Sequence, residues 1–256
     1  RLNDRLLELA SRADAGEVAL DAQADWLLRE LIREFTRSGV ALGEAEQARL
    51  REINGRLAEL TTAFESANLK ARVAGGIDVT IEELDGLSDD EVAALRRPDG
   101  SLRTELVNTS QQPLLASLAD RKTRQRLMEA SLTRGLGTEH DTRPLIVEIA
   151  RLRAEKATLL GYPHYAALVA ARGCAGTTDA VQGMLGRLGP AALASARGDA
   201  ARLAERLRRD EPDADLAAHD WGWAAEKVRA EEYDLDSDEI ESHLPVGKVL
   251  DAALSR

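Results

Sequence analysis

The feature that most limits how this chain can fold is a run of apolar residues, Leu50, Ile53, Leu57, Leu60, Phe64 and Ala67, spaced 3, 4, 3, 4 and 3 apart. On a helix of about 3.6 residues per turn these positions form one stripe, the seam along which a helix packs on a neighbour. A partner lies just upstream. Ala24, Leu27, Leu28, Leu31 and Phe35 make a broad apolar stripe in a helix expected over Glu17 to Thr36, and the Ser38-Gly39 break lets the two helices fold back as an antiparallel hairpin.

After Gly75-Gly76 the period changes. Ile77, Val79 and Ile81 alternate with Asp78, Thr80 and Glu82, the two-residue repeat of a half-buried strand. A second strand is expected over Leu102 to Val107, beyond the Pro98-Asp99-Gly100 turn. Between them Ser88-Asp89-Asp90-Glu91 has the form of a capping box opening a short helix. From Pro113 onward three- and four-residue spacings return, predicting helices at about 113–134, 142–160, 163–172, 178–208, 216–233 and 245–255. Prolines 113, 144, 163 and 245 stand where first helical turns would place them, Gly189-Pro190 is expected to divide the 178–208 stretch, and Arg208 to Asp215 reads as an exposed link.

The expected fold is therefore mainly α: a multi-helix domain with a long helical hairpin and a small embedded β-strand pair. It is taken as one helical portion, 1–256, open to subdivision into 1–112, the hairpin with the strand pair, and 113–256, a helical bundle. No fixed-period repeat points to a solenoid.

Composition narrows the partners. A chain of 256 residues with 44% hydrophobic content can fill a sizeable core. Its single cysteine, Cys174, allows no internal disulfide, so a cytoplasmic setting is the default expectation. A net charge of −11 with acidic and basic residues interspersed would repel phosphate backbones, and 3% aromatics offer no stacking platform, so nucleic-acid binding is not expected. No apolar run approaches the roughly 18 residues of a membrane helix. The N-terminus carries neither an initiator methionine nor a signal core, and apolar periodicity still runs through the last residues. The sequence thus reads as an excised piece, truncated at both ends.

Four blocks carry a family resemblance. They are Phe35 to Leu69, Leu106 to Gly135 with Asn108-Thr109-Ser110-Gln111-Gln112-Pro113 before a helix, His140 to Ala171 with Leu159-Leu160-Gly161-Tyr162-Pro163-His164-Tyr165-Ala166, and Asp220 to Asp236. In this order they resemble the helical region of the bacterial peptidyl-dipeptidases (dipeptidyl carboxypeptidases), members of the thimet oligopeptidase family of zinc metallopeptidases. Trp223-Ala224-Ala225 and Glu241-Ser242-His243-Leu244-Pro245 depart from the family's usual aromatic-containing runs. The resemblance implies a full-length enzyme in which two histidines and a carboxylate hold Zn²⁺ in an open shell, a glutamate serves as general base, and dipeptides leave the carboxyl end of short peptides. This stretch would form the helical wall that narrows access to the metal.

The zinc motif itself, His-Glu-x-x-His, is absent. The residues following His140, His164, His219 and His243 are Asp141, Tyr165, Asp220 and Leu244, and those four positions on are Pro144, Leu168, Trp223 and Gly247. No catalytic, cofactor-binding or metal-ligating residue is therefore assigned, and no zinc is expected on this chain alone. His164 reads as a capping or packing residue more than a peptide contact, and Tyr162, Tyr165 and Tyr233 as packing residues. Cys174 reads as an inert, buried or semi-exposed thiol. Glu139, Asp141 and Glu148 read as solvated helix faces. Arg121, Arg124, Arg126, Arg206, Arg208 and Arg209 read as surface partners of Asp120, Glu129, Glu205 and Asp210 more than as a carboxylate clamp. The partners expected are short peptides for the full-length enzyme, with no nucleic acid, no membrane and the oligomeric state open. The alternative is a non-enzymatic helical adaptor, or a degenerate peptidase relative, that binds a protein partner.

Overall fold

A computed structural model describes residues 2–107, 112–233 and 243–255. Along the chain run α1 (Leu2–Asp14), α2 (Ala22–Arg37), α3 (Glu44–Ala74), β1 (Asp78–Val79), α4 (Asp89–Ala94), β2 (Leu102–Arg103), α5 (Arg121–Leu132), α6 (Arg143–Leu159), α7 (Tyr165–Ala170), α8 (Thr178–Asp210), α9 (Trp221–Tyr233) and α10 (Val246–Leu254). Single 3₁₀ turns stand at Glu82–Leu84, Pro113–Leu115 and Ala218–Asp220. The protein is mainly α, with one two-stranded antiparallel sheet among the described residues. No helix among them is long and apolar enough to cross a membrane.

Local side chains set the helix ends. Asp21 accepts from Ala24 N at 2.7 Å and starts α2 five residues later than the periodicity alone suggests. Asp120 accepts from Thr123 N at 2.7 Å, so α5 opens there, and the expected 113–134 helix is instead a 3₁₀ turn, a short connection and then α5. The capping box at Ser88 and Glu91 forms as the sequence indicates. Pro113 and Pro144 lie in first turns, whereas Pro163 precedes the N-cap His164 and Pro245 is itself an N-cap. Pro190 does not divide α8, which runs on for 33 residues. Proline forfeits one hydrogen bond, and the alanine-, leucine- and arginine-rich segment that follows it has the helix propensity to carry α8 on, although the segment before it holds Gly183, Gly186 and Gly189.

The chain forms two compact units, one of Arg1–Ser66 with Thr142–Arg187, the other of Ala67–Asp141 with Leu188–Arg256. The 112/113 position lies inside the second. In the first unit the seam of α3 turns inward: Leu50, Ile53 and Leu60 are buried, along with Leu28, Ala157 and Leu168. Leu27 of α2 remains exposed, so the apolar stripe of that helix is only partly used. Beyond its apolar seam, α3 is tied to α6 by polar bridges in antiparallel order. Arg49 donates to Glu155 at 2.6 and 2.9 Å, Arg56 to Glu148 at 2.7 and 3.0 Å, and Lys156 to Asn54 at 2.6 Å.

In the second unit Asp78 pairs with Arg103 and Val79 with Leu102. The strand expected over Leu102 to Val107 ends at Arg103, although Thr104 N still donates to Ile77 O at 3.0 Å. Leu106 then enters a core with Leu84, Leu115, Leu118 and Leu127. A second cluster gathers Leu203, Leu207, Ala214, Trp223 and Ala224. The link expected over Arg208 to Asp215 is shorter and less exposed than predicted, because α8 takes in residues up to Asp210 and Ala214 is buried.

Candidate functional site

The densest polar arrangement among the described residues surrounds Asp220, in the second unit. Its side chain is fully buried. Arg121 donates to it through Nε at 3.0 Å and Nη2 at 2.8 Å, Arg124 Nη2 at 3.1 Å, and the Ala217 N–H at 3.1 Å. Burial pushes the carboxyl pKa up, and these donors, Arg121 foremost, more than reverse that, leaving it below the usual carboxylate range. Arg124 also donates to the carbonyls of Leu118 and Ala119, both at 2.8 Å, and its guanidinium lies 4.7 Å from the Trp223 ring centroid. Arg206 and Lys227 face the same ring at 5.5 and 5.8 Å.

With its oxygens committed to four donor groups, Asp220 is a clamp joining the starts of α5 and α9, and not a proton-transfer group. Burial is also the main cause that lowers the His219 pKa, with Arg121 and Arg124 adding to it and Asp220 opposing. Trp221 and Gly222, which follow Asp220 in sequence, line a cavity of about 720 Å³ together with Pro113, Leu115 and Met128. Gln112, a polar side chain among the described residues that line it, is engaged by the framework: Oε1 accepts from Val107 N at 3.0 Å and Nε2 donates to Ser131 Oγ at 2.8 Å.

The first unit holds a different cleft, about 410 Å³, between α3, α6 and α7. Phe64, Ile146 and Ile149 give it apolar walls, and Thr61, Arg153 and Tyr165 stand at it with polar atoms. The Arg153 guanidinium lies 5.1 Å from the Tyr165 ring centroid. Tyr165 is the first residue of α7, whose start is set by His164 Nδ1 accepting from Ala167 N at 3.1 Å.

The residues weighed from sequence end in these places. His164 is a cap. Arg121 and Arg124 are not surface partners of their sequence neighbours; they serve Asp220 from a distance, and Arg124 is 1% exposed. Arg126 pairs with Glu83, and Arg206 and Arg209 with Glu231; Arg206 also meets Asp210 at 2.8 Å, as expected. Glu148 is held by Arg56. Cys174 is exposed, and Tyr233 is exposed instead of packed. Asn108 to Gln111 and Asp234 to Ser242, which belong to the family blocks, lie outside the described residues. Sequence reasoning missed the role of Asp220, although it is the first residue of the fourth family block.

The described residues do not fit a zinc site. Among them no group of three or more His, Cys, Asp or Glu side chains is placed to hold a metal ion.

Residues 114–256 match peptidase family M3. The chain is 34% identical over 258 residues to the dipeptidyl carboxypeptidase of Escherichia coli (strain K12), covering 95% of this chain and 38% of that protein. It is 34% identical to the dipeptidyl carboxypeptidase of Salmonella typhimurium over 91% of this chain and 35% of that protein. It is 28% identical to oligopeptidase A of Haemophilus influenzae over 86% of this chain and 34% of that protein. These helices are those of a peptidase relative, and the chain belongs to peptidase family M3. It spans little more than a third of the length of the curated relatives it matches.

Proposed function

We propose that this chain is the non-catalytic helical portion of a zinc metallopeptidase that releases dipeptides from the carboxyl end of short oligopeptides, and that the 256-residue chain alone is inactive. The observation that carries this reading is the 34% identity to a dipeptidyl carboxypeptidase along 95% of a sequence that contains no His-Glu-x-x-His. Exo-action is favoured over endo-action because the dipeptidyl carboxypeptidases match at higher identity than oligopeptidase A.

In this reading zinc and its general base lie in polypeptide outside this chain, supplying an activated water when bound. These helices contribute a wall that restricts the metal to short or unfolded peptides. Cytoplasmic action and a reducing environment follow from the same reading and from the single, exposed Cys174.

The test is to express the whole reading frame that contains this chain and assay it on a tetrapeptide blocked at its N-terminus. Release of the C-terminal dipeptide, and loss of that release when the C-terminus is amidated, is the expected result. Cleavage at internal bonds regardless of the terminus would assign an endopeptidase, and no cleavage at all would defeat the peptidase reading.

A further inference from the structure

The cleft of the first unit has the chemistry of a ligand site that the peptidase reading does not use. On α3 and α6 the neighbouring charges are already matched: Arg49 with Glu155, and Arg56 with Glu148. Arg153 differs. Among the described residues no carboxylate lies within ion-pairing reach of it, and its guanidinium rests on the face of Tyr165. A guanidinium stacked in this way keeps its edge N–H groups free, in the fork arrangement that matches a carboxylate. In a chain of net charge −11, an arginine without an acidic partner at an apolar cleft marks where an anion is tolerated. Glu148 and Glu155, which would otherwise oppose an anion, are neutralised by their own arginines.

The second polar group narrows the ligand. The Thr61 hydroxyl donates to Leu57 O at 2.8 Å, which leaves its oxygen as an acceptor. Apolar walls, one donor fork for a carboxylate and one acceptor for an N–H are the complement of a peptide's last residue. A fatty acid presents no N–H. The volume of about 410 Å³ suits one large side chain with its flanking backbone.

We infer that the cleft formed by Phe64, Ile146, Ile149, Arg153 and Tyr165 binds the C-terminal apolar residue of a peptide, with Arg153 receiving the carboxylate and Thr61 the amide N–H. The inference stands apart from the peptidase reading, since binding needs neither metal nor turnover.

The experiment titrates the isotopically labelled 256-residue chain with N-acetyl-glycyl-phenylalanine and follows amide resonances by NMR. Saturable shifts should centre on residues 61–64, 146–153 and 165. The C-terminal amide of the same peptide, and the Arg153→Gln chain titrated with the free acid, should each bind about tenfold or more weakly. Arg51→Gln, which removes an exposed cation of α3 whose Nε donates to Gln47 O, should leave binding unchanged. The ligand-side comparison holds even if Arg153→Gln perturbs folding, which circular dichroism would detect. Absence of saturable shifts, equal binding of the amide, an Arg51→Gln effect as large as that of Arg153→Gln, or tighter binding of octanoate than of the peptide would each overturn the inference.

Discussion

Arg124 and Asp220, 96 positions apart in sequence, meet in the interior of the second unit with 1% and 0% of their side chains exposed and 3.1 Å between Nη2 and Oδ1. Breaking a buried pair by removing one partner leaves an uncompensated charge, at a cost of about 3–5 kcal/mol. Asp220→Ala should therefore destabilise the protein by that order, with Trp223 fluorescence changing as the Arg124 guanidinium 4.7 Å from its ring centroid loses its anchor. Urea unfolding measures this, and a loss below about 1 kcal/mol, the range of surface pairs, would show that the clamp carries no stability.

Stability should fall in two steps on acidification. His219 has a folded pKa below its ordinary value, chiefly through burial, so below about pH 6.5 the unfolded chain takes up a proton more readily and the native state loses ground. Asp220 is likewise held low, its donors outweighing burial. Its contribution is intact above the usual carboxylate pKa of about 4 and is lost as pH drops through the lower folded value. Thermal melts of the parent and of His219→Asn between pH 7 and about 5 should show a flatter dependence in the variant; parallel curves would contradict the assignment.

Two glycines should respond in opposite directions to alanine. At Gly86, φ is +93° and an added Cβ would stand 2.2 Å from the Ser117 carbonyl oxygen, so Gly86→Ala should cost at least about 2 kcal/mol. Gly55 lies within α3 with open space around it, and Gly55→Ala should stabilise by about 0.8–1 kcal/mol. Denaturation midpoints of the two variants test the pair, and a shared sign would refute the local accounts.

Pro190 interrupts the hydrogen bonding of α8 without ending it. Pro190→Ala should raise both helicity and stability, by up to about 3 kcal/mol. Far-ultraviolet circular dichroism and thermal melting would show it; a drop in either would mean that the proline is required where it stands.

Much of the fold was legible because helical period and caps are local properties. The α3 seam, the Ser88 capping box and the alternation of Ile77, Val79 and Ile81 each depend on residues a few positions apart. The departures share a different cause. Arg121 and Arg124 had acidic neighbours in sequence, yet the geometry of α5 and α9 brings them to Asp220, a choice that no local pattern encodes. Pro190 was read as a boundary because a local rule was applied where the long helix-forming segment after it prevails. Arg153 and Tyr165 likewise come together only once α6 and α7 are packed, so the cleft had no signature in spacing alone.

We propose that this chain supplies the wall of a peptidase and none of its reactive groups. The most direct test is to purify the 256-residue chain, measure bound zinc by elemental analysis and assay hydrolysis of an N-terminally blocked tetrapeptide. Substoichiometric zinc that dialysis removes, with no turnover, is expected; one tightly held zinc per chain, or release of dipeptide by the chain alone, would refute the proposal.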